Sequence, residues 1–216
     1  MPRLLIATNN PDKAAELRSL LDGCGWELVT PSDIGVELAD DETGETYEEN
    51  ARSKALNAAK TSGLVTLADD SGLEIEAMGG EPGTRSARFL GEQASYAERF
   101  AEIQRRLAGL PRERRSARFV CVIAIADSET GVVRVVEGEV RGLIADEASG
   151  RRGFGYDPIF WLPQQSATMA ELTEHQKSII SHRARAIAPA RQILKELLYE
   201  HYRRSDPASS SRAPGG

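Results

Sequence analysis

Cysteine is scarce: Cys24 and Cys121 are the only two in 216 residues. They stand far apart in apolar surroundings, which excludes a disulfide framework and a thiolate metal site and points to a reducing cytoplasm. Histidine is nearly as rare, with three in the chain. No Ser/His/Asp order or His/Cys cluster is present to support nucleophilic or zinc chemistry. A basic excess is also missing: 27 Lys and Arg stand against 33 Asp and Glu, for a net charge of −6. That argues against a general binder of nucleic acid or membrane surfaces, yet leaves room for a local basic pocket that takes a phosphorylated small molecule. Long apolar runs are absent, and Leu4-Leu5-Ile6-Ala7 is too short for a signal segment, so a soluble intracellular chain is expected. There is no G-x-x-x-x-G-K loop and no internal repeat.

What remains is an ordinary globular composition, 40% hydrophobic and 28% charged, long enough for one large α/β domain or two joined lobes. Arg3 to Thr8 reads as a buried strand. Asn10 follows as a helix N-cap, with Pro11 at the first helical position, where its missing N–H costs nothing. Lys13, Ala14, Leu17, Leu20 and Leu21 continue at helical spacing, and Trp26 to Val29 reads as a second strand. Thr46 and Glu49 form a capping-box pattern opening a helix to about Ser62. Arg118 to Ala126 is a strongly apolar strand, with Val132 to Val140 as its antiparallel partner across a turn at Asp127 to Gly131. Tyr96 to Leu107 reads as a surface helix, and Gln176 to about Arg204 as a last helical region broken or kinked by Pro189. The composition of 205–216 is that of a disordered tail, leaving 1–204 as the folded part of the chain.

Four stretches carry side chains suited to chemistry. Leu64 to Ala68 reads as a buried strand that ends in Asp69-Asp70-Ser71-Gly72; adjacent carboxylates at a strand end suit a metal-assisted site, and the same residues are also good turn formers. Thr8-Asn9-Asn10-Pro11-Asp12-Lys13 joins a strand to a helix start, where backbone N–H groups, the helix dipole and Lys13 favour an anion; a well-capped helix with an exposed lysine is the plainer alternative. Phe154-Gly155-Tyr156-Asp157-Pro158 concentrates aromatics in a chain with 6% of them, able to stack a nucleobase while Asp157 accepts its N–H groups, or else to anchor the core. Ser181-His182-Arg183 opens a helix with Ser181 as N-cap, one turn after Lys177. Lys54, one turn from Asn50, and the acidic Asp41-Glu42 pair gain interest only beside Asp69-Asp70, since magnesium prefers a few carboxylates, waters and phosphate oxygens.

Taken together these segments resemble the inosine triphosphate pyrophosphatase family. The matching residues are Thr8-x-Asn10-x-x-Lys13, Glu49-Asn50-Ala51 with Lys54, Ala68-Asp69-Asp70-Ser71-Gly72-Leu73, Pro82-Gly83 with Ser86-Ala87-Arg88, Gly153-Phe154-Gly155-Tyr156-Asp157-Pro158, and Lys177 with Ser181-His182-Arg183. They occur in family order from residue 3 to about 200. Gly150-Arg151-Arg152, where relatives usually carry small residues, Pro189 and the tail depart from the pattern. The resemblance implies an elongated two-lobed α/β fold around a mixed twisted sheet with flanking helices and a central cleft. It also implies a homodimer, dependence on Mg2+, and cleavage of ITP, dITP and XTP to the monophosphate and pyrophosphate.

By the same resemblance, Thr8 to Lys13 and Lys54 hold the triphosphate, and Ser71 binds substrate. Glu42 and Asp70 bind Mg2+, and Asp70 is the catalytic group that orients or deprotonates the attacking water. Whether Asp41 or Asp69 assists stays open. Phe154, Gly155, Tyr156, Asp157, Lys177, His182 and Arg183 form the base pocket. Two other readings compete: a Maf-like nucleotide pyrophosphatase acting on other bases, and a nucleotide-binding module without catalysis.

Overall fold

A computed structural model describes residues 1–38 and 44–205; Asp41, Glu42 and the expected tail from 206 onward lie outside them. Seven strands form one open mixed sheet: β1 (Arg3–Ile6), β2 (Glu27–Val29), β3 (Val65–Ile75), β4 (Ser116–Ala126), β5 (Val133–Ile144), β6 (Phe160–Leu162) and β7 (Ala167–Thr168), in the order β2-β1-β3-β4-β5-β6-β7. The β1 strand pairs parallel with β2 and β3, and every later pair is antiparallel. The helices are α1 (Pro11–Leu20), α2 (Pro31–Ile34), α3 (Tyr47–Ser62), α4 (Tyr96–Arg106), α5 (Glu174–Ile180) and α6 (His182–Ser205).

Local chemistry explains the helix starts. The Asn10 side chain accepts from the Asp12 and Lys13 N–H groups at 2.9 and 3.1 Å, and Pro11 occupies the first turn. Thr46 and Glu49 close the expected capping box on α3. The β4–β5 hairpin turns where expected, tied by the Asp127 N–H to the Val132 carbonyl.

The long strands β3, β4 and β5 carry three cores. On one face of the sheet, Leu67, Cys121 and Ile123 pack with Leu17 of α1 and Ala186, Ala190 and Leu194 of α6. On the opposite face, Ala68, Val122 and Ala124 meet Ala51, Ala55 and Ala58 of α3. Further along the same strands, Leu73, Ile75, Phe119 and Val140 join Ile103 and Leu107 of the α4 region, together with Tyr156 and Phe160. The first two cores make one end of the molecule and the third the other. Asp69 to Gly72 falls between them.

Two sequence expectations change. The strand does not end at Ala68: β3 runs on to Ile75, and Asp69 and Asp70 pair within the ladder opposite Ile123 and Val122. Turn-forming residues stay extended here because β4 supplies a full antiparallel partner and each carboxylate finds its own donors. The second change concerns Pro189, which lies inside a continuous α6. Pro189 and Arg185 both face solvent, where water can take the carbonyl that proline leaves unpaired. The helical region breaks instead at Ser181, whose backbone is extended and whose Oγ accepts the Ala184 N–H at 3.1 Å. This cap fixes the direction of His182 and Arg183. Gly138 of β5 lets the first turn of α6 sit directly on the sheet, since a Cβ there would lie 2.3 Å from the His182 carbonyl oxygen.

Candidate active site

Successive residues of a strand point to opposite faces of the sheet. Asp69 therefore faces α1 and α6, and Asp70 faces α3; both are nearly inaccessible, at 2% and 3% exposure. Each carboxylate has a separate environment.

Asp69 Oδ2 lies 3.2 Å from Lys13 Nζ and 3.2 Å from Arg183 Nη2, and the Ser71 hydroxyl, on the same face, donates to Asp69 Oδ2 and accepts from Arg183 Nη2. Burial pushes this carboxyl upward, but Lys13, Arg183 and Lys54 outweigh it and hold it below the usual carboxylate range. Asp69 is thus fixed as an anion that orders two cations. Asp70 Oδ2 accepts from Asn50 Nδ2 at 2.9 Å, and its Oδ1 accepts from the Ser71 N–H at 3.0 Å with Lys54 Nζ at 3.8 Å.

A cleft of about 570 Å³ opens beside this pair, lined by Thr8, Asn9, Asn10 and Lys13 from the start of α1 and by Lys54, Asn57 and Lys60 from α3. A smaller pocket adjoins it and shares Asn10 and Lys13. Asp70, Ser71, Phe154, Tyr156, His182 and Arg183 are in its lining, with Gly155, Asp157 and Lys177. Nearly every residue expected at the site is brought together in these two spaces. Pro11 and Asp12 are exposed on the first turn of α1, with Asp12 on a separate hollow behind Phe154. Glu42 lies outside the described residues.

The pocket has a defined polar frame. Asp157 Oδ2 accepts from Lys177 Nζ at 2.7 Å and from the Phe154 N–H at 3.0 Å; burial raises its carboxyl despite Lys177. The ring of Phe154 lies under two cations, with Lys177 Nζ 4.8 Å and the Arg183 guanidinium carbon 5.6 Å from its centroid. His182 stacks on Phe119 at 4.8 Å, and its buried Nδ1 has no hydrogen-bond partner among the described residues. Burial, aided by Arg183 and Lys177, keeps this imidazole neutral well below its ordinary pKa. Tyr156 donates to the Ser86 carbonyl at 2.9 Å and meets Tyr96 edge-on at 5.3 Å.

Sequence reasoning missed two members. Glu16 holds Arg183 Nη1 at 2.8 Å and Lys177 Nζ at 3.6 Å; its position three residues after Lys13, on the α1 face that meets α6, was the available signal. Asn50 was noted as a neighbour of Lys54 and within the Glu49-Asn50-Ala51 motif but given no role, although an asparagine inside a helix is unfavourable enough to ask for a reason. Arg151 and Arg152 are exposed, and Arg152 donates to the Glu171 carbonyl at 3.1 Å.

The fold and site define an α/β protein with an open mixed sheet in which an interior strand carries paired acids near a lysine-lined cleft and an aromatic pocket. The chain belongs to the Ham1 family, whose model matches residues 4–193. It is 44% identical over 195 residues to a dITP/XTP pyrophosphatase of Desulforamulus reducens, covering 90% of this chain and 96% of that one. A dITP/XTP pyrophosphatase of Bacillus subtilis is 42% identical over 197 residues, with 90% and 98% covered. Among solved structures, a HAM1 protein from Coxiella burnetii aligns with a TM-score of 0.81 and 39% identity over 91% of this chain and 100% of that one. A nucleoside-triphosphatase / dITP/XTP pyrophosphatase from Mycobacterium abscessus aligns with a TM-score of 0.70 and 42% identity over 87% and 98%.

Proposed function

We propose that this chain hydrolyses non-standard purine nucleoside triphosphates, dITP, ITP and XTP, to the monophosphate and pyrophosphate. The observation that carries the reading is Asp70: a buried carboxylate in the lining of the aromatic pocket, held by Asn50 and by Lys54, which itself lines the adjoining cleft. The names of the D. reducens and B. subtilis relatives support dITP and XTP among these substrates.

The triphosphate lies in the cleft, neutralised by Lys13 and Lys54 and bonded by the hydroxyl and amide groups of Thr8, Asn9 and Asn10. Phosphoryl chemistry of this kind rests on positioning and charge stabilisation, which suits a site with no protein nucleophile. Asp70 orients a water and takes its proton as the water oxygen bonds to the α-phosphorus; the bond to the bridging oxygen breaks and pyrophosphate leaves. The base enters the pocket beside Phe154, with Lys177, His182 and Arg183 around it. Donors aimed at a 6-oxo group leave a 6-amino group facing donor to donor, an unpaired contact that supports strong discrimination.

Mg2+ is the ion whose chemistry these residues fit. Among the described residues no group of three or more His, Cys, Asp and Glu could cage a metal. Magnesium binds through one or two carboxylates plus waters and substrate phosphates, and Asp70 offers hard oxygens beside the phosphate cleft. Glu42 is proposed as the further ligand. When bound, the ion supplies charge neutralisation at the phosphates. The protein is proposed to act as a homodimer in the cytoplasm. Both cysteines are free, and no described helix is long and apolar enough to cross a membrane.

Pyrophosphate release from dITP, with and without Mg2+, tests the reading. Wild type should release it only with the metal, and Asp70→Asn should lose at least about 10³-fold in kcat with its melting temperature and nucleotide affinity little changed. Near-normal turnover by Asp70→Asn would sink the mechanism.

A further inference from the structure

We infer that Asn50 is a positioning residue, a two-ended clamp that sets the carboxylate of Asp70 and ties it to the backbone at Gly44. The inference rests on the reading of Asp70 as the acting carboxylate. Asn50 is fully buried on α3. Its Nδ2 donates to Asp70 Oδ2 at 2.9 Å, and its Oδ1 accepts from the Gly44 N–H at 2.8 Å. The two partners fix the orientation of the amide: a carboxylate demands the NH2 end and a backbone N–H demands the oxygen.

The clamp accounts for two local features. An asparagine in the first turns of a helix competes with the helix's own backbone bonds unless its side chain is engaged elsewhere, and here both ends are engaged. Gly44 in turn has no room for a side chain: a Cβ would lie 2.7 Å from Asn50 Oδ1 and 2.8 Å from Glu49 Cβ. The glycine lets the main chain approach the amide closely. Lys54 follows Asn50 by one helical turn and reaches the other oxygen of the same carboxylate, at 3.8 Å. Asn50 and Lys54 therefore hold Asp70 from one helix face, the neutral donor at one oxygen and the cation at the other. Partners of this kind, which orient a ligating or catalytic carboxylate without touching substrate, typically change metal affinity or turnover 10–100-fold when removed.

The clamp can be broken from either end in the full-length protein, by Asn50→Ala or by Gly44→Ala. Two readouts are taken: Mn2+ binding to the free protein by titration calorimetry, and kcat and KM for dITP with Mg2+. Both variants should weaken Mn2+ binding about tenfold and lower kcat about 10–100-fold, with KM within about threefold, because the phosphate cradle on α1 is untouched. Mn2+ affinity and kcat like wild type in both variants would overturn the inference, as would a rise in KM with unchanged kcat. An effect in Asn50→Ala with Gly44→Ala like wild type overturns the tether to Gly44. If Asn50→Ala does not fold, Gly44→Ala decides, since its residue lies in a surface-accessible loop end. If wild type releases no pyrophosphate from dITP, the functional reading fails, and the Mn2+ titrations still decide the clamp: weaker binding in the variants sustains it, equal binding or none in wild type overturns it.

Discussion

Burial holds the His182 imidazole neutral in the folded protein, so acid should withdraw stability through this one side chain. The ring is 6% exposed, stacked on Phe119, and faces Arg183 and Lys177, which oppose a further positive charge, and Asp69, which favours one. Its folded pKa lies well below the ordinary value. In the unfolded chain the imidazole titrates near ~6.5. Above that pH neither state carries the proton and the contribution is complete. Below it the unfolded state binds a proton that the folded state refuses, so stability falls by about 1.4 kcal/mol per pH unit until the folded pKa is reached. Between pH 7.5 and 5.0 the loss integrates to about 2 kcal/mol. Other groups titrate in the same range, and Asp157, raised by burial, works in the opposite sense because its folded form takes up a proton first. The assay is therefore a difference. Urea unfolding of wild type and His182→Gln at pH 7.5 and 5.0 cancels what the two proteins share, and wild type should lose about 2 kcal/mol more than the variant on acidification. A wild-type-minus-variant difference that stays constant with pH, within the error of the extrapolation, would refute the buried neutral imidazole.

Two further outcomes follow from the site. Phe154→Ala should raise KM for dITP about tenfold, the equivalent of about 1.4 kcal/mol of base stacking, while kcat changes little; steady-state kinetics in which only kcat moved would remove the stacking role. Arg183→Met should destabilise the protein by about 3 kcal/mol or more in urea unfolding, because a buried cation bonded to Glu16 and Asp69 leaves two carboxylates behind. Lys13 still neutralises Asp69 in that variant, and a loss below about 1 kcal/mol would mean that the network is screened like a surface pair.

Much of this was legible in the residues because the signals are local. Asn10 with Pro11, Thr46 with Glu49, and Ser181 each announce a helix start within a few positions, and each cap forms as expected. The apolar run of β4 and its turn at Asp127 to Gly131 likewise carry their own hairpin. The continuation of β3 through Asp69 and Asp70 was not legible, since the groups that make it tolerable come from far along the chain. Arg183 is separated from Asp69 by 114 positions and Asn50 from Asp70 by 20. Local turn chemistry competed with a ladder whose partner, β4, begins only at Ser116. The helix does not break at Pro189 for a related reason: the cost of a proline depends on which side of α6 it occupies, and burial, not spacing, decides that. The short helix α2 has Pro31 and a Thr30–Asp33 box, a signal that was present and passed over.

The strand through the acidic pair alters how the site can work. Two carboxylates at a turn would share one space, repel one another and need a metal or a proton to coexist. Placed on successive residues of β3, they are divided by the sheet itself, and their labour divides with them. Asp69, between Lys13 and Arg183, joins the start of α1 to the start of α6, so the cation that lines the cleft and the cation over the Phe154 ring share one anionic anchor. Asp70, turned toward α3, stays in reach of the cleft with a neutral donor and a lysine as its partners. Exchanging the two roles by sliding the register one residue would bring Asp69 to α3 and strip Arg183 of its buried partner. The register of β3 against β4 therefore fixes which aspartate orders Lys13 and Arg183 and which turns to Asn50 on α3.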